Sequence, residues 1–143
     1  MFRVISFQIS DEEKANTAFA IRQRVFVDEQ KVDREEEYDS HEEEAIHYLL
    51  LNEEQPIGTA RRRFTDKGMK LERFAVLPEQ RNTGAGTFLL KAVLNDILPA
   101  DHLIYLHAQV AAMNLYKRAG FIPQGDLFYE ANIPHYKMIY SRD

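Results

Sequence analysis

The chain has no cysteine. Disulfides, thiolate nucleophiles and Cys-ligated metals are therefore excluded, and a cytoplasmic location is favoured. No apolar run approaches the roughly 20 residues that span a bilayer, and the opening residues Met1 to Gln8 do not have the form of a secretory signal. Cations are the minority charge: 18 Lys and Arg stand against 23 Asp and Glu, a net charge of -5. That balance argues against nucleic acid as a partner, because phosphate contacts need clustered Lys and Arg. There is no His-Glu-x-x-His, and His41, His102 and His107 lack metal-like spacing, so no metal is expected. A Gly-x-Ser-x-Gly elbow is missing too, which sets aside a serine hydrolase.

What is present is an ordinary globular composition, 45% hydrophobic and 29% charged over 143 residues, read as one domain spanning 1–143 with a real core. The stretch from Leu71 to Leu90 organises it. An apolar strand over 71–77 runs into a turn opened by Pro78, then a loop with Gly84 and Gly86 tips into an amphipathic helix. The first N–H groups of a helix lack intrahelical partners and point one way, which makes a site for an anion, most often phosphate. Gly84 and Gly86 let the backbone approach a ligand where a Cβ would collide. Dinucleotide binding is the rival for such a loop. Gly-x-Gly-x-x-Gly would need glycine where Leu89 stands, and no Gly-Lys-(Ser/Thr) follows.

Around this stretch, residues 2–9 suggest a strand, and Ala18, Ile21, Val25 and Phe26 recur at helical spacing in a helix over 12–28 capped by Asp11. Eight carboxylates fall within 33–44. They read as a solvated loop or short helix, or, more sharply, as a field that draws in a cationic substrate. Three strand segments (45–52, 57–64, 69–77) separated by turn residues predict an antiparallel meander. Within it Arg61, Arg62 and Arg63 read as a solvent face paired to nearby acids rather than as a phosphate site, with Arg62 opposite its neighbours. Ala85, Phe88, Leu89, Ala92, Val93 and Ile97 mark a helix ending before Pro99. A strand over 102–109, a short helix over 111–119 closed by Gly120, and a closing strand over 135–140 complete the order β-α-β-β-β-α-β-α-β, an α/β layer domain.

Leu-Glu-Arg-Phe-Ala-Val-Leu-Pro followed by Gln-Arg-Asn-Thr-Gly-Ala-Gly, a helix directly after it, and Asn114-Leu115-Tyr116-Lys117-Arg118-Ala119-Gly120-Phe121 together resemble the GNAT superfamily of acyl-CoA-dependent N-acetyltransferases. The resemblance covers nearly the whole chain. It implies a GNAT-type fold, a mixed central sheet of about six or seven strands flanked by helices. Arg22 to Gln30 (Arg-Gln-Arg-Val-Phe-Val-Asp-Glu-Gln) and Ile133 to Met138 (Ile-Pro-His-Tyr-Lys-Met) look like the small bacterial ElaA/YjcF-like branch. Homodimers are common in the family, though no segment here announces an interface.

By that resemblance, the pyrophosphate of acetyl-CoA lies over the N–H groups of Arg81, Asn82, Thr83, Gly84, Ala85, Gly86 and Thr87. The pantetheine arm pairs with backbone at Phe74, Ala75 and Val76 and with the Asn114 side chain, between strands splayed apart. The Val76 N–H stabilises the oxyanion of a tetrahedral intermediate, and Tyr116 is the general acid for the departing thiolate. An acceptor amine is about 3 units too basic to attack at neutral pH, a cost of roughly 4 kcal/mol, so a base is expected. His47, Glu72 and His135 are the candidates. Glu72 and Arg73 are expected on opposite faces of one strand, so that only one faces the acceptor: Arg73 would favour an acceptor bearing carboxylate or phosphate, Glu72 a plain amine. The acceptor is expected to be a small-molecule amine. A protein lysine or N-terminus is the alternative within enzymes, and a non-catalytic acyl-CoA-binding or sensing module the alternative outside them.

Overall fold

Apolar-rich segments, buried in continuous runs in the second and third, build the first half of a sheet. In the computed structural model, which describes residues 1–99 and 101–141, β1 (Phe2–Phe7), β2 (Ile46–Asn52), β3 (Gln55–Thr65) and β4 (Gly68–Val76) pair antiparallel in chain order. The expected meander is there, with β1 added to its edge. β5 (Ile104–Gln109) lies parallel to β4, and β7 (Ile133–Tyr140) then β6 (Phe121–Glu130) follow antiparallel, giving the order β1-β2-β3-β4-β5-β7-β6. This is the α/β mixed sheet with flanking helices that the sequence implied.

The C-terminal unit differs from expectation. The closing strand over 135–140 is one arm of a hairpin whose other arm, β6, carries Pro123 and Gly125. Both residues weaken a strand assignment from sequence, and β6 tolerates them because it is the outer strand of the sheet, with its register broken between Gln124 and Phe128. Ala131 and Asn132 turn the hairpin with positive φ at both positions.

Two layers cover the sheet. α3 (Ala85–Ile97) seats Leu89, Leu90 and Val93, each at most 1% exposed, against Leu50, Leu71, Leu106 and Met138. Each such side chain contributes about 1.5–3 kcal/mol relative to exposure. On the other face α1 (Glu12–Arg22), capped by Asp11, packs Ala15, Ala18 and Ile21 against Leu49 and Ala75. The helix expected over 12–28 does run on to Glu29, but its last seven residues widen into a π-helical segment, where the Gln30 N–H reaches back to the Val25 carbonyl. A short α2 (Arg34–Glu37) and α4 (Met113–Arg118) complete the fold.

Two departures from simple alternation position the site. The β4–β5 ladder stops at the pair Leu71–Leu106, so the strands separate beyond it. In the same region β4 bulges against β3, where Thr59 pairs with Ala75 but Arg61 with Glu72. Arg73 sits in this bulge at φ 58, a left-handed conformation that costs a non-glycine residue about 1 kcal/mol or more.

Candidate active site

Where β4 and β5 part, a cavity of about 810 Å³ opens, walled by both strands, the N-terminus of α3, α4, the π-helical segment and the β6–β7 hairpin. At one end lies the glycine loop. Asn82 (φ 62) and Gly84 (φ 86) both adopt the left-handed region, and Phe88 is the first residue of α3 to donate back, to the Gly84 carbonyl at 3.0 Å. The N–H groups of Ala85, Gly86 and Thr87 thus have no acceptor within the helix, and no side chain caps it. A Cβ on Gly84 would meet nothing within 4 Å, so its glycine answers to backbone conformation. One on Gly86 would meet only Leu115, at 3.6 Å.

Arg81, Asn82 and the Gly84–Thr87 backbone line the cavity. The Arg81 guanidinium is itself anchored: it donates to both Glu29 oxygens (2.6 and 2.7 Å) and to the Val76 carbonyl (3.0 Å). Thr83 does not line the cavity. It is exposed, and its hydroxyl donates to the Gln80 carbonyl at 2.6 Å.

Phe74, Ala75 and Val76 form the β4 wall. The Leu77 N–H donates to the Ile57 carbonyl at 2.9 Å, which makes the neighbouring Gly58–Val76 pair a non-hydrogen-bonded one. The Val76 N–H therefore points away from β3, into the gap. Across from it, Tyr116 is buried (8% exposed) with edge-on contacts to Phe74 and Phe121, both 6.1 Å between ring centres. Its hydroxyl makes no hydrogen bond among the described residues, and burial pushes the phenol well above its ordinary range. Asn114, expected beside it as a pantetheine ligand, is exposed on α4 and outside the cavity lining. A side chain two positions before Tyr116 on a helix points about 200° away from it.

The other end is ionic. The acidic segment is not a free solvated run: Glu37, Asp39 and Glu42 are spent on arginines. Fully buried Arg61 donates to Asp39 (3.0 and 2.6 Å), Glu42 (2.8 Å) and Glu72 (3.0 Å). Buried Arg22 holds Glu37 and Glu42, and Arg73 reaches Asp39 at 3.2 Å and Glu37 at 3.4 Å. Two expectations are corrected here. Arg61 is paired to acids, as read, but in the interior rather than on a solvent face. A field drawing in cations also loses Glu37 and Asp39, whose charge is matched by arginines, and keeps exposed Glu36 among the acids of that segment that line the cavity.

Glu72 and Arg73 both line the cavity, against the expectation that alternation would separate them. The bulge inserts an extra residue and so cancels the two-residue period. Burial raises the Glu72 carboxyl, but Arg61, Lys70 and Arg63 outweigh it and hold it below its ordinary value. His135 also lines the cavity, at 7% exposure. His47 does not: it is 1% exposed, stacked on Phe7, with Nε2 2.9 Å from the Glu42 carbonyl. Burial lowers its affinity for a proton. It stands apart from the cavity lining that holds Glu72 and His135.

Four site residues escaped the sequence. Gln30 and Gln109 exchange side-chain amide bonds (2.9 and 3.4 Å) across the cavity, and His107 pairs with Glu130 at 3.1 Å inside it. The Val-Phe-Val-Asp-Glu-Gln stretch was the available signal for the first pair, since Glu29 and Gln30 are its two anchors to Arg81 and Gln109.

Parallel β4 and β5 thus part beneath an open helix N-terminus, with buried Tyr116 beside the gap. The chain matches the acetyltransferase (GNAT) domain family over residues 8–142 and belongs to it; it is an N-acetyltransferase of that family. Among curated proteins it is similar to the uncharacterized N-acetyltransferase YjcF of Bacillus subtilis (strain 168), 37% identical over 131 residues, spanning 90% of this chain and 94% of YjcF. The fold is also that of Escherichia coli ElaA (TM-score 0.87, 23% identity, 99% of this chain and 100% of ElaA). An acyl-CoA N-acyltransferase from Pseudomonas aeruginosa shares it as well (TM-score 0.86, 23% identity, 99% and 100% coverage).

Proposed function

We propose that the protein moves an acetyl group from acetyl-CoA to the primary amine of a small molecule by direct attack. Acetyl-CoA supplies an acyl carbon already activated as a thioester, which the amine attacks to give a tetrahedral intermediate. The open N–H groups of Ala85, Gly86 and Thr87 fit a diphosphate, reinforced by the dipole of a 13-residue helix. The inward Val76 N–H is placed for the oxyanion. Tyr116, with its hydroxyl unengaged and its proton firmly held, donates to the leaving thiolate. Of the base candidates in the cavity, Glu72 is committed to three cations, and His135 takes the role. The walling of the acceptor end by the segment bearing Glu37 and Asp39 supports a small amine over a protein lysine or N-terminus.

The observation that carries this is the unbonded hydroxyl of buried Tyr116 in the same cavity as the open helix N-terminus. Tyr116→Phe tests it: thiol release should fall by about a hundredfold or more while calorimetry still shows CoA binding. Unchanged turnover would remove the acid assignment. A wild-type protein that binds CoA without releasing thiol to any primary amine would instead be a binding or sensing module.

A further inference from the structure

His135 is fixed by its own strand. Nδ1 lies 2.6 Å from the Ile133 carbonyl oxygen, which can only accept, so Nδ1 carries the ring proton and Nε2 presents a lone pair. That lone pair lies 3.9 Å from Glu130 Oε1. Two hydrogen-bond acceptors at this separation do not bond each other. They do match the span between two acceptors of one nitrogen, each about 2.9 Å from it.

Glu130 is held as firmly from its other oxygen. Oε2 lies 3.1 Å from His107 Nδ1. Phe128 organises both rings, edge-on to His107 at 5.0 Å and stacked on His135 at 5.8 Å. The His107 hydrogen bond outweighs burial, and with the charge of Lys70 it keeps the Glu130 carboxyl below its usual range. His107, Glu130 and His135 come from three adjacent strands and line the cavity. His135 is in register with Gln109, past the last β4–β5 pair at Leu106, so the cluster borders the opening where the strands have separated.

We propose that Glu130 Oε1 and His135 Nε2 form the seat of the acceptor's ammonium group, Glu130 binding it and His135 taking its proton. This rests on the acetyl-transfer function above. An N–H bond of the ammonium breaks, its electron pair stays on nitrogen as the attacking lone pair, and the proton moves to Nε2. The resulting imidazolium is balanced by the Glu130 carboxylate and returns its proton to solvent along the half-exposed Glu130 side chain.

The test is Glu130→Gln in the full chain, assayed by thiol release from acetyl-CoA with two probes. Ethylamine is an ammonium at neutral pH and needs the seat; methoxyamine is already uncharged and does not. The variant should lose about tenfold or more in kcat/KM for ethylamine, the effect of one unit of proton affinity, and keep its rate with methoxyamine. Equal losses with both, or none with either, overturn the proposal. A second arm needs no turnover: at fixed pH, ethylamine alone should perturb the ring Cε1–H NMR signals of His107 and His135 in the wild type and leave them unmoved in Glu130→Gln. Signals unmoved in the wild type, or moved equally in both proteins, overturn the proposal as well. Failure of the wild type to bind CoA would instead sink the acetyl-transfer function, and the ring signals would still report on the seat.

Discussion

Replacing Arg61 with Met removes the hub of the buried ion-pair network and leaves a side chain of similar length. Four charge-assisted hydrogen bonds disappear, two to Asp39 and one each to Glu42 and Glu72. At about 1.5–3 kcal/mol each they would total at least about 6 kcal/mol if independent. They are not, because each carboxylate keeps another cation: Arg73 for Asp39, Arg22 for Glu42, Arg63 and Lys70 for Glu72. The expected loss is therefore that of breaking one buried pair, about 3–5 kcal/mol, a fall in Tm on the order of 10 °C for a chain of this size.

The loss has a pH signature. Burial raises all three carboxyls, but their arginine partners bring each below its ordinary value in the folded protein. Groups with lowered folded pKa contribute stability that is present above their unfolded pKa, about 4, and is lost as pH falls through the folded value. In Arg61→Met much of that contribution is missing from the start, so the gap between the proteins should be widest near neutrality and narrow below about pH 4. Urea denaturation at several pH values measures it. A deficit under about 1 kcal/mol, inside the range of an exposed ion pair, or one constant across this pH range, would refute the account of the buried network.

Gly84→Ala should weaken CoA binding and lower stability by about 1 kcal/mol through its positive φ alone. Gly84→Asn should lose less, because asparagine tolerates that region, and equal calorimetric losses for the two would point to a steric cause. His47→Gln should lower thermal stability through the lost Phe7 stacking while leaving kcat intact; a collapsed kcat at full CoA affinity would restore His47 as a base. Since burial raises the Tyr116 phenol, the kcat profile should show no decline assignable to this acid up to its ordinary titration range near pH 10. An alkaline limb that vanishes in Tyr116→Phe would contradict that.

The sequence by itself determined the layered α/β order, the antiparallel meander, the open helix N-terminus after Gly84 and the tyrosine two residues past Asn114. These are local properties: apolar period, turn chemistry and the conformational freedom of glycine act within a few residues. Only the tertiary structure decided that Glu72 and Arg73 share a cavity, because a bulge is a mismatch between two strands and neither strand shows it alone. It likewise turned a run of carboxylates into a buried lattice around Arg22 and Arg61, since charge pairing depends on which chains meet. His107 lies more than twenty residues before Glu130 and His135, and the order β5-β7-β6 brings it beside the hairpin that carries them. Pro123 and Gly125 hid the strand that carries Glu130, and its place at the edge of the sheet is what made that strand possible.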